Sequence, residues 1–158
     1  MPKIVIVYDS KSGNTEMMAK AVAEGVGSVK GVQVESYKIG TKFPTQVLGE
    51  ADAIILGTPS RYGLPTAEMR EFLEAVGLRH DTGALKIKAK AGGVFGSYGW
   101  DGGDVVDRLE DVLTSLKVKV VPPKVAAVDR GGAMGVRIDE DSLKKCRELG
   151  KALAQKIA

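Results

Sequence analysis

"VIVYDSKSGNTEMMAKAV", residues 5 to 22, joins a β-branched apolar run to a cluster of small hydroxyl and amide residues around one glycine, then to a helical pattern. The run ending at Asp9 reads as a buried strand, being apolar at nearly every position rather than at alternate ones. Met18, Ala21, Val22 and Gly25 then recur at helix spacing. A strand that passes directly into a helix leaves Ser10-Lys11-Ser12-Gly13-Asn14-Thr15 at the seam. The unit predicts a parallel sheet, since parallel neighbours need crossover helices.

Outward from this unit the same alternation recurs. "KIVIVYD" (3 to 9), "ADAIILGT" (51 to 58), "AGGVFGSY" (91 to 98) and "KVKVVPPKVAAV" (117 to 128) read as buried strands, and the alternating "VQVESYK" (32 to 38) as an edge strand. Helical stripes lie between them: Met69, Phe72, Leu73, Val76; then Val105, Leu109, Val112, Leu113, Leu116; finally Leu143, Cys146, Gly150, Leu153, Ile157. Five strands alternating with helices predict an α/β class, a doubly wound parallel sheet with helices on both faces. Glycine-rich "DRGGAMGVRID" (129 to 139) reads as a connection, and residues 1–158 as a single domain.

With 158 residues, 44% of them hydrophobic, the chain can build a full core. One cysteine, Cys146, allows no internal disulfide and no cysteine-built metal site, and its place on an apolar stripe makes it a small buried hydrophobe. His80 is the only histidine and is expected at the surface near a helix end, so no metal site is predicted. Met1-Pro2-Lys3 leads straight into a strand, and no long apolar run follows, so a cytoplasmic protein with no membrane segment is expected. The net charge of +3 comes from lysines scattered among acids, densest at Lys86, Lys88 and Lys90. That is a solvated face rather than a nucleic-acid surface.

In a doubly wound sheet, ligands bind beyond the carboxyl ends of the strands. The seam after the first strand has the chemistry of an anion cradle. Free amides at a helix start carry roughly half a unit of positive charge, and Ser10, Ser12, Asn14 and Thr15 can donate as well. Gly13 lets the backbone approach, and Lys11 adds charge at the rim. Neither G-x-x-x-x-G-K-[ST] nor G-x-G-x-x-G is present, which argues against a nucleoside triphosphate loop and a dinucleotide fingerprint. A monophosphate bound mainly by hydroxyls remains.

Ser10-x-Ser12-Gly13-x-Thr15 after a first strand resembles the flavodoxin phosphate loop, and the resemblance extends over the whole chain. It implies strand order 2-1-3-4-5 and FMN as cofactor. "GTPSRYGLPTAEMREFL" (57 to 73) and "GSYGWDGGDVVDRLE" (96 to 110) would be the two loops that clasp the isoalloxazine. From them the resemblance assigns Thr58, Pro59, Ser60, Arg61, Tyr62 and Gly63, with Ser97, Tyr98, Gly99, Trp100, Gly102 and Gly103. Tyr62, Tyr98 and Trp100 are three of a total of one Trp, four Tyr and three Phe in the chain. Flat apolar faces of this kind exclude water from a ring, and glycine-rich loops bring amides to its edge.

Different pieces resemble different branches. "FGSYGWDGGDVVDRLEDVL" and "EDSLKKCRELGKAL" are similar to the flavodoxin-like domain of flavodiiron proteins, whereas "GTPSRYGLPTAEMREFLEAVG" is similar to quinone reductases of the tryptophan-repressor-binding type. Three functions follow. The first is an FMN electron carrier that docks transiently with redox partner proteins at the flavin edge, with no catalytic residue of its own. The second is an FMN-dependent NAD(P)H:quinone or flavin oxidoreductase, for which an oligomer would complete the nicotinamide site. The third, a phospho-signalling module, would want an acidic cluster at the end of the first strand, where Asp9 stands alone. The short chain favours the carrier, although its net positive charge departs from the strongly acidic character typical of flavodoxins.

Overall fold

The computed structural model describes residues 1–129 and 137–158. Most of the 129–139 connection, residues 130–136, lies outside the described residues. In chain order the elements are β1 (Lys3–Tyr8), α1 (Asn14–Gly27), β2 (Gln33–Lys38), α2 (Val47–Glu50), β3 (Ala53–Pro59), α3 (Ala67–Asp81), β4 (Ala91–Tyr98), α4 (Val105–Ser115), β5 (Lys119–Val120), β6 (Val125–Val128) and α5 (Glu140–Ile157). The sheet order is β2-β1-β3-β4-β5, every pairing is parallel, and β6 also pairs with β4.

The fifth strand position is filled by two short pieces. Lys119 lies opposite Ala91 and Val125 opposite Phe95, so the single strand expected over 117 to 128 is broken at 121 to 124. Pro122 and Pro123 have no N–H to donate to a ladder, which ends pairing there.

The two faces of the sheet bury different residues. Val5, Val7, Ile54, Leu56 and Val94 pack with α3 and α4. Ile4, Ile6, Ala53, Ile55, Ala91 and Phe95 pack with α1 and α5. Both faces being covered is why the strand runs are apolar without alternation. β2, at the edge, is buried at no position.

α1 and α5 touch backbone to backbone. A Cβ on Gly25 would lie 2.0 Å from the Arg147 carbonyl oxygen, and one on Gly150 would lie 2.0 Å from that of Val22. Glycine on both helices therefore sets their separation.

Cys146 faces the core from α5 with no exposed surface, and burial pushes its thiol up to about 12. Thiolate is the reactive form, so native protein at pH 8 should leave Cys146 unlabelled by an aromatic disulfide reagent. Denatured protein should release one equivalent of thiol per chain. Equal labelling rates in the two states would show that α5 does not seal the residue. His80 lies in the last turn of α3, half-buried rather than at the open surface, and its Nδ1 has no hydrogen-bond partner among the described residues.

Candidate cofactor site

The turn from β1 into α1 is organised by Ser10. Its Oγ accepts from the Gly13 N–H at 3.1 Å and the Glu16 N–H at 3.2 Å, so it caps the helix from three residues before the N-cap position. That N-cap position is Gly13 itself, at φ 101°, a conformation costly for any residue with a Cβ. Among the described residues, the backbone N–H groups of Lys11, Ser12, Asn14 and Thr15 donate to no partner. Unpaired amides at the positive end of a helix are suited to an anion with several oxygens.

The side chains of the cradle divide by direction. Ser12 is exposed and lines the cleft beside the loop. Asn14 is buried: its Oδ1 accepts from the Arg137 N–H at 2.7 Å, and its Nδ2 donates to Ser12 Oγ at 3.2 Å. Thr15 is also buried, with its hydroxyl 2.9 Å from that of Ser97 on β4. Asn14 and Thr15 thus brace the turn, and the donors left open are chiefly backbone amides. Lys11 reaches away, its Nζ lying 3.5 Å from Asp9 Oδ2 and 3.2 Å from Glu68 Oε2. Glu68, first among the causes, and Asp9 raise the Lys11 pKa, so it stays an ammonium.

Asp9 is only 2% exposed, and its role is to join two loops. Its Oδ1 accepts from the Ser10 N–H at 2.8 Å, and its Oδ2 accepts from Thr66 Oγ1 at 2.5 Å. Thr66 in turn caps α3 by accepting from the Met69 N–H. The cradle and the start of α3 are therefore held together through one carboxylate.

After β3 the chain makes a two-residue hairpin. Arg61 and Leu64 exchange backbone hydrogen bonds of 2.8 and 3.0 Å, and the central residues Tyr62 and Gly63 have φ of 56° and 83°. Two successive positive φ values are the requirement of a type I′ turn, comfortable for Gly63 and strained for Tyr62. Arg61 donates from Nη1 to the Ser60 carbonyl at 3.1 Å. Its charge is also among the causes that lower the Glu68 pKa, behind a backbone hydrogen bond and Lys11.

The loop after β4 faces this hairpin. Trp100 and Tyr62 are 83% and 81% exposed, and their rings meet edge to face at 5.7 Å. Asp101 Oδ2 accepts from Ser60 Oγ at 2.9 Å and from the Gly63 N–H at 3.3 Å. Burial opposes a charge on Asp101, but hydrogen bonds from Ser60 and from backbone N–H groups, those of Gly63 and Tyr62 included, hold its pKa below the usual value.

Two adjoining clefts open between these loops. One, about 130 Å³, is lined by Lys11, Ser12, Pro59, Ser97 and Tyr98 among others; the second, about 270 Å³, by Tyr62, Trp100 and Asp101. Ser60, Arg61, Gly99 and Asp129 line both. The turn from β1 into α1 is thereby continuous with a cleft that Tyr62 and Trp100 both line. Gly13, Asn14, Thr15, Thr58, Gly63, Gly102 and Gly103 line neither cleft: Thr58 is fully buried, and a Cβ on Gly103 would meet Ala126 and Tyr98. Asp101, Asp129 and the Asp9–Thr66 pin carry no local sequence signal, since each is defined by residues on separate loops. A larger apolar groove of about 400 Å³ lies between α3 and α4, but no residue of the cradle lines it. Among the described residues no group of three His, Cys, Asp or Glu side chains could hold a metal ion.

Comparison with known proteins gives this geometry a family. The chain is 32% identical to an anaerobic nitric oxide reductase flavorubredoxin of Aeromonas hydrophila, over 99% of its own length but only 29% of that relative. It is 33% identical to an NAD(P)H dehydrogenase (quinone) of Chromohalobacter salexigens, over 73% of this chain and 67% of that one. The solved structure of a flavodoxin from the domain Archaea superposes with a TM-score of 0.82 at 28% identity, covering 98% of each chain. Residues 6–150 match the family model of flavodoxin, and the chain belongs to the flavodoxin family.

Proposed function

We propose that residues 1–158 act as one FMN domain in the cytoplasm, carrying electrons between partner proteins that dock briefly at the flavin edge. The observation that supports this reading is the continuity between amides at the start of α1 that have no partner among the described residues and a cleft walled by two exposed aromatics. The flavin, when bound, supplies the redox chemistry. The chain's own residues bind and orient it. The amides of Lys11, Ser12, Asn14 and Thr15, with the Ser12 hydroxyl, would hold the phosphate. Tyr62 and Trp100 would exclude water from the ring, with Pro59, Ser60, Arg61, Ser97, Tyr98 and Gly99 shaping the surrounding wall and Gly63 completing the turn behind Tyr62. Asn14, Thr15, Thr58, Gly102 and Gly103 would act behind that wall, by fixing the loops.

A reductase reading is favoured by two observations: the similarity to the quinone dehydrogenase and the exposed Arg61 cation on the ring loop. Anaerobic addition of NADH or NADPH to the FMN-loaded protein separates the two. A carrier should keep its visible spectrum for minutes, until a separate reductase is supplied. Bleaching within seconds by either nucleotide alone would replace the carrier reading with the reductase.

A further inference from the structure

We propose that Asp101 is a positioning residue: it pins the Tyr62-Gly63 turn across the cleft and sets a fixed negative charge in the wall of the ring pocket. The inference rests on the reading above, that these loops hold the isoalloxazine. Four observations meet at this carboxylate. It is the one side chain of the β4–α4 loop for which hydrogen bonds to the facing hairpin are seen among the described residues. Its partners are the two groups that define the hairpin's shape, the Ser60 hydroxyl at the base and the Gly63 N–H at the apex, and that N–H also reaches Ser60 Oγ at 3.1 Å. The pinned turn has a non-glycine residue, Tyr62, at positive φ, so it needs outside support to persist. Trp100, the neighbour of Asp101, is in edge contact with Tyr62, so clamp and aromatic pair span the same gap.

The electrostatic consequence follows from position. Arg61 and Asp129 line the same cleft as Asp101. Hydrogen-bond donors keep Asp101 ionised despite its partial burial. Electrons delivered by an electrode or a partner add negative charge to a bound ring, and a carboxylate in the wall opposes that addition, offsetting the neighbouring guanidinium. The clamp and the charge can be separated by substitution. Asp101→Asn keeps an oxygen that can accept from Ser60 and Gly63 but loses the charge, and Asp101→Ala loses both.

Two measurements test the proposal. In cofactor-free protein, amide exchange at Gly63 should be about tenfold faster in Asp101→Ala, as for loss of one hydrogen bond to a charged acceptor, and within about threefold of native in Asp101→Asn. In FMN-loaded protein held at a fixed electrode potential, both variants should show a reduced-to-oxidised ratio about tenfold above native, the effect of one nearby charge in a partly screened site. Native exchange at Gly63 in the alanine variant would overturn the clamp, and an unchanged ratio in both variants would overturn the charge. If the native chain fails to bind FMN, the functional reading falls along with the charge, while the exchange measurement still decides the clamp.

Discussion

Gly150→Ala should lower the thermal midpoint by about 6 to 10 °C, a loss of about 2 to 3 kcal/mol in a chain of this size. Helix propensity alone gives the opposite sign, since alanine is favoured over glycine in a helix interior by about 1 kcal/mol. The structure decides the balance. The new Cβ would sit 2.0 Å from the Val22 carbonyl oxygen and 2.9 Å from the Val26 nitrogen, both backbone atoms of α1 that cannot swing aside like a side-chain tip. α1 and α5 would have to separate, and with them the buried layer of Met18, Val22, Leu149 and Leu153 between the helices and the sheet. Gly77→Ala in α3 is the control, because nothing lies within 4 Å of a Cβ there; it should be neutral or stabilise by up to about 1 kcal/mol. Calorimetry on the two variants is sufficient. An unchanged midpoint for Gly150→Ala would mean that the helices are not in backbone contact.

FMN should bind on the order of a thousandfold more tightly than riboflavin, because three or more charge-assisted hydrogen bonds of about 1.5 kcal/mol each depend on the phosphate. Asn14→Asp is expected to remove about a hundredfold of that margin. Asn14 is 1% exposed beneath the cradle. A carboxylate there would repel one phosphate charge about 6 Å away by about 3 kcal/mol at an effective dielectric near 20. The Arg137 N–H, which now donates to Asn14 Oδ1, could still donate to the new carboxylate, so the fold should survive. Fluorescence titrations with both flavins give the comparison: FMN affinity should fall while riboflavin affinity stays within a few-fold. Equal affinity of the native chain for the two flavins would sink the assignment of the phosphate to this loop.

These expectations combine what was legible in the sequence with what was not. The order of elements and the class of the sheet could be read because burial of both faces writes itself into the chain as unbroken apolar runs, and the stripes containing Met18, Leu109 and Leu153 carry helix spacing. The hydroxyl cluster at the first seam was legible as a set of donors at a helix start. Which of its side chains are engaged elsewhere was not, since spacing does not say that Thr15 meets Ser97, 82 residues away, or that Asn14 holds Arg137. Asp9 and Asp101 were passed over for the same reason: each acts by reaching a partner on another loop, Thr66 at one and Ser60 and Gly63 at the other. The broken strand has a sequence signal, because consecutive prolines cannot serve a ladder, but the apolar residues on either side carry the pattern of one continuous strand. The short helix α2 lacks the length for a periodic signal.

The broken fifth strand also bears on how copies of this chain meet. An uninterrupted outer strand would offer a second molecule a ready row of N–H and C=O groups, the usual starting point for edge-to-edge growth. Here that side of the sheet has two residues in β5 and four in β6, separated by a stretch with two prolines. Since only alternate groups of a strand point outward, the longer piece presents about two donors. Lys124, within the break, is 2.9 Å from Asp107 and 3.0 Å from Glu110, which ties the break to α4. The opposite side ends in β2, whose side chains include Glu35 and Lys38. On the β5–β6 side two such chains therefore have little to gain by extending one sheet into another, which leaves the unbroken six-residue β2 as the one border of the described sheet with a full row of groups to offer.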